Sequence, residues 1–384
     1  MPSGGGASGL TGLLERLRAR RGDFEAAGER AEQLRTLPPD IVEILRDLGL
    51  FWLKTPAELG GTPLHPLEFC DVIEELAYAE VSAAWAAMIG AGCTGMAAGW
   101  LPEAGLRTVF PPGGPPPVLA GQPQPRGTGR RANGGYLVSG RWSFNSGIVH
   151  ADWVIGAFRP DGDENRMLVF AMPKSEAAVI DTWRVAGLQG TGSLDFRTDA
   201  VFVPDELTYD PAAGAVRGGD LFRQEIHLFV SNEVPPLCIG LARRAIDDMT
   251  ELAGHTARFP GGPALSERAV FHKELGRADA RVRAARLLHR EAIAAGFEAA
   301  GRGDGADPAV LTAAAVASVY AVETCAEVVS DLFRYGGGRV LALSSPMQRH
   351  LRNALAARQH LAVSDEFYEA AGRDLIQSAK ARGA

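Results

Sequence analysis

The spacing of apolar residues predicts helices from about residue 12 to residue 110. In the segment that starts at Pro66, apolar positions recur at intervals of three and four residues and mark one helix face, formed by Phe69, Cys70, Ile73, Leu76 and Ala77. The run from Val81 to Trp100 is almost wholly apolar and small. We therefore expect that helix to be buried on most sides.

A stretch rich in proline and glycine, PPGGPPP at residues 111–117, ends this pattern, because neither a helix nor a central strand accommodates it. Beyond it the period changes to two, after the hairpin dipeptide NG at 133–134. One face of the first strand carries Tyr136, Val138, Trp142 and Phe144. Further strands are expected at 153–158, 167–172 and 194–203, so the pattern predicts an antiparallel β-domain.

From about residue 219 the helical period returns and holds to the end in three or four long helices. Two of them carry narrow apolar stripes, Val270, Leu275, Ala278, Val282, Ala285 and Leu288 on one, and Leu311, Ala315, Val319, Val322, Ala326, Val329 and Phe333 on the next. Such stripes are typical of an antiparallel bundle that also packs against a partner subunit. The chain thus predicts an α+β fold with a helical domain at 1–117, a central antiparallel β-domain at 118–215 and a C-terminal four-helix bundle at 216–384.

The amino-acid composition and charge exclude several classes of function. The formal net charge of −7 gives no basic field for a nucleic-acid backbone, so we expect no nucleic-acid partner. The cysteines, Cys70, Cys93, Cys238 and Cys325, lie far apart with no zinc-like spacing, so we expect reduced thiols and no metal site. The N-terminus lacks the basic start and apolar run of an export signal, which favours a cytoplasmic protein that does not enter a membrane.

The familiar nucleotide and hydrolase motifs are missing. There is no phosphate-binding GxxxxGK[ST] loop, and GLQGTG at 187–192 precedes a predicted strand rather than a helix, which disfavours a dinucleotide-binding fold. Neither a GxSxG elbow nor an HExxH helix occurs. Catalysis therefore has to come from a scattered constellation of residues or from a bound cofactor.

Several short segments together are informative. They are AGQP at 120–123, GRWSFNSG at 140–147 with HADW at 150–153, GLQGTGS at 187–193, VFVP at 201–204, YGGG at 335–338, SSP at 344–346, Arg349, Arg352, QH at 359–360 and Gly372. In order and spacing this set resembles the acyl-CoA dehydrogenase superfamily, particularly its oxygenase branch, the flavin-dependent hydroxylases of two-component systems. The resemblance covers roughly residues 30 to 380. True acyl-CoA dehydrogenases carry a glutamate base and an EGT-like ending, whereas this chain has QHLAVS at 359–364.

The resemblance implies the three-part acyl-CoA dehydrogenase fold and a homotetramer or homodimer. It implies an enzyme that takes reduced FMN or FAD from a separate reductase and uses O2 to hydroxylate an electron-rich small molecule. A phenol, a polycyclic aromatic, an indole and an amino sugar remain equally open as substrates.

The resemblance also implies roles for individual residues. His360 and Ser146 are the catalytic candidates, with His360 as acid or base because an imidazole titrates near neutrality. The candidates for binding the flavin are Gln122, Trp142, Phe144, Ser146, Arg258 and Gly337, with Arg258 on the cofactor phosphates across a subunit interface. The substrate pocket is expected to include Trp85, Cys93 and His150.

Each of these residues also has a purely structural interpretation. Trp142 and Phe144 are ordinary core aromatics if strand alternation alone is considered, and Ser146 before a glycine is a common turn residue. His360 and His150 can be satisfied structural histidines, and Arg258 a solvated surface arginine.

Two departures from the family pattern leave other functions open. Cys93 stands where family hydroxylases often have a second histidine, and Asn353 follows Arg352 where aspartate is usual. We interpret that aspartate as a structural partner of the arginine. The first alternative is an FAD-bound acyl-CoA dehydrogenase or oxidase, with Asp365 or Glu366 as the nearest carboxylate bases. The second is a redox-neutral or non-catalytic protein of the same fold.

Overall fold

The computed structural model describes residues 7–163, 165–255, 262–304 and 307–383. Its first part is helical, as the apolar spacing predicts. The helices there are α1 (Ala7–Ala19), α2 (Arg21–Leu34), α3 (Pro39–Asp47), α4 (Pro66–Ala79), α5 (Val81–Trp100) and α6 (Glu103–Val109).

Helix α5 is the central element. The side chain of Glu80 caps its start by accepting a hydrogen bond from the backbone N–H of Ser82 at 2.9 Å. Every residue of α5 except Ile89 is buried, which confirms the burial predicted from its composition. Its small residues let neighbours approach closely; a Cβ added at Gly90 would lie 2.6 Å from the ring of Phe51.

In the described part of the chain, α5 and the later helix Pro308–Phe333 are long and apolar enough to span a membrane by length and composition. The window in α5 is 94% buried inside the protein, and core helices pass the same test.

The sheet follows the helices. It is built from β1 (Leu119–Ala132), β2 (Gly135–Asn145), β3 (Trp153–Pro160), β4 (Leu168–Pro173), β5 (Ala178–Ile180), β6 (Leu194–Pro204) and β7 (Thr208–Tyr209), in the spatial order β5-β6-β2-β1-β3-β4-β7. The expectation of a purely antiparallel domain is wrong at one pair, because β1 and β3 run parallel. The chain leaves β2 through a turn at residues 146–152 and returns on the other edge of β1, so β3 takes the direction of β1.

The hairpin predicted at 133–134 is confirmed. Ala132 pairs with Gly135, and Gly134 turns the chain with a φ of 77°, which glycine adopts without strain. The alternation predicted along the second strand holds as far as Trp142 and then fails. A bulge between Trp142 and Asn145 places Phe144 at a φ of 65° and leaves it 65% exposed, so the two aromatic rings do not share a face.

Trp142 belongs to the core of the sheet. Its ring is fully buried, stacks on Phe196 with ring centroids 4.9 Å apart, and donates its indole N–H to the carbonyl of Ala157 at 2.9 Å. The expectation that the Trp142 ring walls a flavin is therefore wrong, because no face of the ring is free. Strand alternation alone gave the correct interpretation of this residue.

Helices return in the last part: α7 (Ile226–Ser231), α8 (Val234–Gly254), α9 (Ala269–Arg302), α10 (Pro308–Phe333), α11 (Pro346–Ala357) and α12 (Glu366–Gly383). Helices α8 to α11 pack against one another, and α12 packs on α10. The predicted stripe on α9 is only partly internal, since Val270 and Leu288 are 48% and 43% exposed.

The predicted fold class, helices followed by a β-domain and a helical bundle, is confirmed. The predicted domain limits, at residues 117 and 215, fall in the two intervals between helices and strands, 110–118 and 210–225, and stay predictions as limits of folding units. Two apolar cores result. The first half of α5 lies in the helical core and its second half in the β-domain core, so α5 joins the two.

Because Trp142 is a core residue, Trp142→Phe is expected to lower the free energy of unfolding by about 1–3 kcal/mol through the unpaired carbonyl of Ala157. Trp142→Ala is expected to cost about 3–5 kcal/mol because it also leaves a cavity. Chemical denaturation measures both values. If Trp142→Phe instead leaves stability unchanged and weakens flavin binding, the assignment to the core is incorrect.

Candidate functional site

The structure brings three of the predicted site residues together around one hydrogen bond. The indole N–H of Trp85, on α5, donates to Oγ of Ser146 at 2.9 Å. On its other side the Trp85 ring meets the ring of His360 edge to face, with centroids 5.5 Å apart. Residues from the first helical part, the β-domain and the C-terminal helices thus meet at a single tryptophan.

Ser146 continues into a buried chain of hydroxyl groups. Its Oγ lies 2.7 Å from Oγ of Ser193, which lies 2.6 Å from Oγ1 of Thr191, and Thr191 donates to the carbonyl of Leu188 at 2.8 Å. Since a hydroxyl has one hydrogen, Thr191 must accept from Ser193, and Ser193 must accept from Ser146. The hydroxyl hydrogen of Ser146 is therefore already used. With Trp85 donating to it, Ser146 can still accept one hydrogen bond but has none to give.

Sequence reasoning did not single out Thr191 and Ser193. Both hydroxyls are buried, and they are separated by Gly192, whose φ of 58° turns the chain so that the side chains converge. The sequence signal for this pair was the glycine that separates two hydroxyl residues in the GLQGTGS segment.

His360 precedes a short 3-10 helix at Leu361–Val363 and caps it. Its Nδ1 accepts a hydrogen bond from the backbone N–H of Ala362 at 3.3 Å, so in the neutral ring the hydrogen is on Nε2. Burial lowers the pKa of His360 to about 4. The expectation of an imidazole that titrates near neutrality is therefore wrong, because a buried ring with no acidic neighbour stays neutral. At pH 7 His360 offers an N–H donor.

The loop at the start of β1 is held by Cys93. The thiol donates to the carbonyl of Gly121 at 3.6 Å, and burial raises the thiol pKa well above its usual value. Cys93 is thus a tether and not a thiolate. Gly121 has a φ of 153°, and an added Cβ would lie 2.0 Å from the carbonyl oxygen of Ile155, so only glycine fits there.

Gln122 follows Gly121 in the chain, and in the described part of the chain only one of the two polar groups of its side chain has a hydrogen-bond partner. Its Nε2 donates to the carbonyl of Ser143 at 3.0 Å, while its buried Oε1 has no partner among the residues that the structure describes. A buried amide oxygen without a partner is uncommon in a folded protein and marks a place where a ligand can donate the missing hydrogen bond.

Phe144 is the exposed aromatic of the site. Its φ of 65° is rare for a bulky residue, and its ring meets the edge of Trp183, with centroids 6.2 Å apart. Its neighbour in sequence, Asn145, is anchored to the carbonyls of Trp142 and Leu194. The bulge therefore fixes an apolar ring at the surface, two residues from Ser146.

Helix α11 holds the segment that leads into the hydroxyl chain. Oδ1 of Asn353 accepts from the backbone N–H of Leu188 at 2.7 Å, and Arg352 donates to the carbonyl of Ala186 at 2.7 Å. Arg352 finds its ionic partner in Glu32, at 2.9 Å. Arg352 therefore does not need an aspartate at position 353 as its ionic partner, because Glu32 takes that role. The neutral amide of Asn353 binds the backbone instead.

The remaining predicted residues lie elsewhere. His150 packs on Phe51 at 5.4 Å, and burial lowers its pKa to about 4. Phe51 covers Gly90, which is about 140° around α5 from Trp85, but the His150 ring also lies beside Gly147, the neighbour of Ser146 in the chain. A place for His150 in the substrate pocket therefore stays a prediction. Gly337 begins an exposed 3-10 helix at a φ of 61°, with no described contact to Ser146. Arg258 lies outside the described residues.

Comparison with known proteins assigns both helical parts of the chain to the same family. Two family models match, acyl-CoA dehydrogenase N-terminal domain over residues 22–101 and acyl-CoA dehydrogenase C-terminal domain over residues 235–365. Together they cover more than half of the chain.

Individual relatives extend over nearly the whole chain. An indole-3-acetate monooxygenase of Pseudomonas putida is 29% identical over 92% of this chain and 89% of its own. The oxygenase component of an FADH2-dependent resorcinol hydroxylase of a Rhizobium species is also 29% identical, over 92% and 90%. Among solved structures, XiaF of a Streptomyces species, in complex with FADH2 and glycerol, superimposes with a TM-score of 0.89 at 24% identity, covering 97% of this chain and 96% of its own.

The depressed pKa of His360 has a measurable consequence for stability. Between pH 6.5 and about 4 the unfolded chain binds a proton at residue 360 that the folded protein does not bind. Stability from this group is therefore complete above about pH 6.5 and is lost as the pH falls toward 4, by up to about 3 kcal/mol.

Denaturation across this pH range tests the point with two variants. His360→Gln keeps an acceptor for the cap and is expected to flatten the slope of stability against pH. His272→Gln removes an exposed histidine and serves as the control, with His150 present throughout. Equal slopes in the wild type and in His360→Gln would contradict the buried, neutral state of His360.

Proposed function

The chain belongs to the acyl-CoA dehydrogenase superfamily, and from this we propose that it is the oxygenase component of a two-component flavin-dependent monooxygenase that hydroxylates an electron-rich small aromatic molecule. The observation that carries the proposal is the cluster of the buried Trp85 and Ser146 with the partly buried His360, at the meeting point of the three parts of the fold. The relatives named above as monooxygenase and hydroxylase support the same reaction type.

The residues around Ser146 fit a flavin ring. Phe144 offers an exposed apolar face, and the buried Oε1 of Gln122 lacks a partner among described residues. Ser146 has one acceptor position left, and a reduced isoalloxazine carries an additional N–H donor. Reduced flavin, when bound, supplies the electrons that activate dioxygen. The site thus suits the reduced form of FMN or FAD, and relatives include one named FADH2-dependent and a solved structure with FMN.

The side chains of His360 and Trp85 limit the access of water to this region. Trp85 is 7% exposed, and the partly buried His360 holds its hydrogen on Nε2. A neutral N–H donor in a site poor in water interacts strongly with oxygen at a reacting centre, because little solvent screens it. We therefore assign His360 the role of a neutral hydrogen-bond donor.

The acyl-CoA dehydrogenase alternative has less support in the site. Asp365 and Glu366, the carboxylates considered for it, are both exposed at the start of α12. An exposed carboxylate with ordinary solvation is poorly suited to removing a weakly acidic proton from a thioester. The non-catalytic alternative rested on Cys93 and Asn353, and both residues have structural partners here that leave the cluster intact.

The proposal includes a partner and an assembly. A separate flavin reductase is needed to supply reduced flavin, as for the oxygenase components among the relatives. We propose a homotetramer, or a homodimer, whose contacts cover exposed apolar side chains of the C-terminal part, with Arg258 binding cofactor phosphate across the interface. These side chains are Leu287, Leu288, Leu341, Leu343 and Leu361. We place the working enzyme in the cytoplasm.

The reaction is tested with reduced flavin and no reductase. Protein is mixed with chemically reduced FMN or FAD, oxygenated buffer enriched in ¹⁸O2, and a panel that includes resorcinol and indole. We expect a product with one added ¹⁸O atom, found by mass spectrometry, only when reduced flavin is present. A tightly bound yellow flavin that an acyl-CoA bleaches, with no oxygen incorporated, would establish the dehydrogenase instead.

Ser146 is expected to set the preference for the reduced flavin. Ser146→Ala removes the acceptor, so the Kd for reduced flavin is expected to rise about 10-fold, with a smaller change for oxidised flavin. Ser193→Ala is the matched control, because it keeps Ser146 but frees its hydrogen to donate, which should improve binding of oxidised flavin. Anaerobic titrations measure both constants. An unchanged ratio of the two constants in both variants would contradict the assigned direction of the hydroxyl chain.

A further inference from the structure

Helix α5 is partly exposed at one position. Ile89 is the only residue of the helix that is not buried. It lies one turn from Trp85, and Gly92 follows nearly one turn later, so the three residues share a face at positions i, i+4 and i+7. The surface at Ile89 is therefore flanked by Trp85 at one end and by the backbone of Gly92 at the other.

A buried ion pair covers the Gly92 end. Nζ of Lys54 lies 2.7 Å from Oε1 of Glu233, and the two side chains are 1% and 8% exposed. Lys54 also donates to the carbonyl of Phe229 at 2.6 Å and to Oδ1 of Asn232 at 3.0 Å. All three of its N–H groups are thus used within the protein.

The hydrogen bond and the ion pair that the structure shows for the carboxylate of Glu233 both join Oε1 to Nζ of Lys54. The carboxylate reaches α5 because residue 92 is glycine; an added Cβ would lie 2.6 Å from Oε1 and 3.6 Å from Oε2. A buried ion pair is weak evidence of stabilisation, since its desolvation cost offsets the attraction. The second oxygen of this carboxylate, Oε2, is therefore the candidate atom for binding a ligand.

The distances fit a small aromatic molecule. Seven residues of helix correspond to about 10 Å, so Glu233 lies about that far along α5 from the Trp85 cluster, close to the length of a bicyclic aromatic. The tether of Cys93 to Gly121 forms the neighbouring side, and Ile89 provides an apolar contact for the ring.

We propose that Oε2 of Glu233 binds an N–H or O–H group of the substrate and so selects neutral aromatic donors, such as phenols and indoles with a free N–H, over aromatic carboxylates. The inference rests on the proposed function, since it places the substrate in the same site. A carboxylate would meet the charge of Glu233 and find no free donor on Lys54. Indole-3-acetate is therefore expected to be a poor ligand, although one relative bears the name of its monooxygenase.

Binding to the flavin-free protein tests the inference without catalysis. Four compounds form two matched pairs: indole with 1-methylindole, which lacks the N–H, and 3-ethylindole with indole-3-acetate, which adds the charge. Calorimetry is expected to show each first compound binding at least about 10-fold more tightly than its partner. Equal affinities within either pair, or no binding by any of the four, would overturn the proposal.

Variants then connect the selectivity to Glu233. The double variant Lys54→Met and Glu233→Gln removes both charges together, which avoids leaving one buried charge unpaired. It is expected to bind indole-3-acetate at least about 10-fold more tightly than the wild type does. Gly92→Ala, which displaces the carboxylate, is expected to reduce the preference for indole over 1-methylindole. Circular dichroism and thermal melting confirm that each variant is folded, and unchanged ratios in folded variants would refute the role of Glu233.

Failure of this inference can be told apart from failure of the proposed function. If the four compounds bind with the expected ratios but no ¹⁸O enters any of them, the subsite stands and the monooxygenase proposal falls. If indole-3-acetate is hydroxylated as readily as 3-ethylindole, the monooxygenase stands and the selectivity by Glu233 falls.

Discussion

The hydrogen bond from Trp85 to Ser146 is the contact on which the rest of the site depends. It joins a helix of the first core to the end of a strand of the second, and the other side of the same indole meets His360 from the C-terminal part. The bond occupies one acceptor position of Ser146, while the carbonyl of Leu188 at the far end sets the direction of the hydroxyl chain. The two ends of the chain together leave Ser146 with one acceptor position and no hydrogen to donate.

Local sequence patterns were sufficient for the order of the elements and for much of the site. The change of period at residues 111–117, the two-residue hairpin and the buried helix at Val81–Trp100 could all be predicted from residue types. Family resemblance located Ser146, Trp85 and His360, which the structure brings together. Phe144 shows the limit of alternation, since a bulge is a tertiary adjustment with no distinct local signal.

What the sequence could not supply is mostly a matter of environment. Burial lowers the pKa of His360, and the cap on the following turn decides which ring nitrogen carries the hydrogen. Neither is visible in the dipeptide QH. Lys54 and Glu233 are 179 positions apart, so their pairing appears only when the chain is folded. Asn353 was interpreted as a lost charge, yet its amide binds the backbone N–H of Leu188 as an acceptor.

The four glycines of α5 each face a different part of the chain: Gly90 faces Phe51, Gly92 faces Glu233, Gly95 faces Lys54 and Gly99 faces Phe222. Bulk added at any of them would push away a distinct segment while the helix itself stayed in place. Substitutions in this helix would thus act at sites far apart in the sequence, with Gly92 and Gly95 acting on the two partners of one ion pair. The surface of α5 is therefore complementary in shape to the side chains that pack on its glycines.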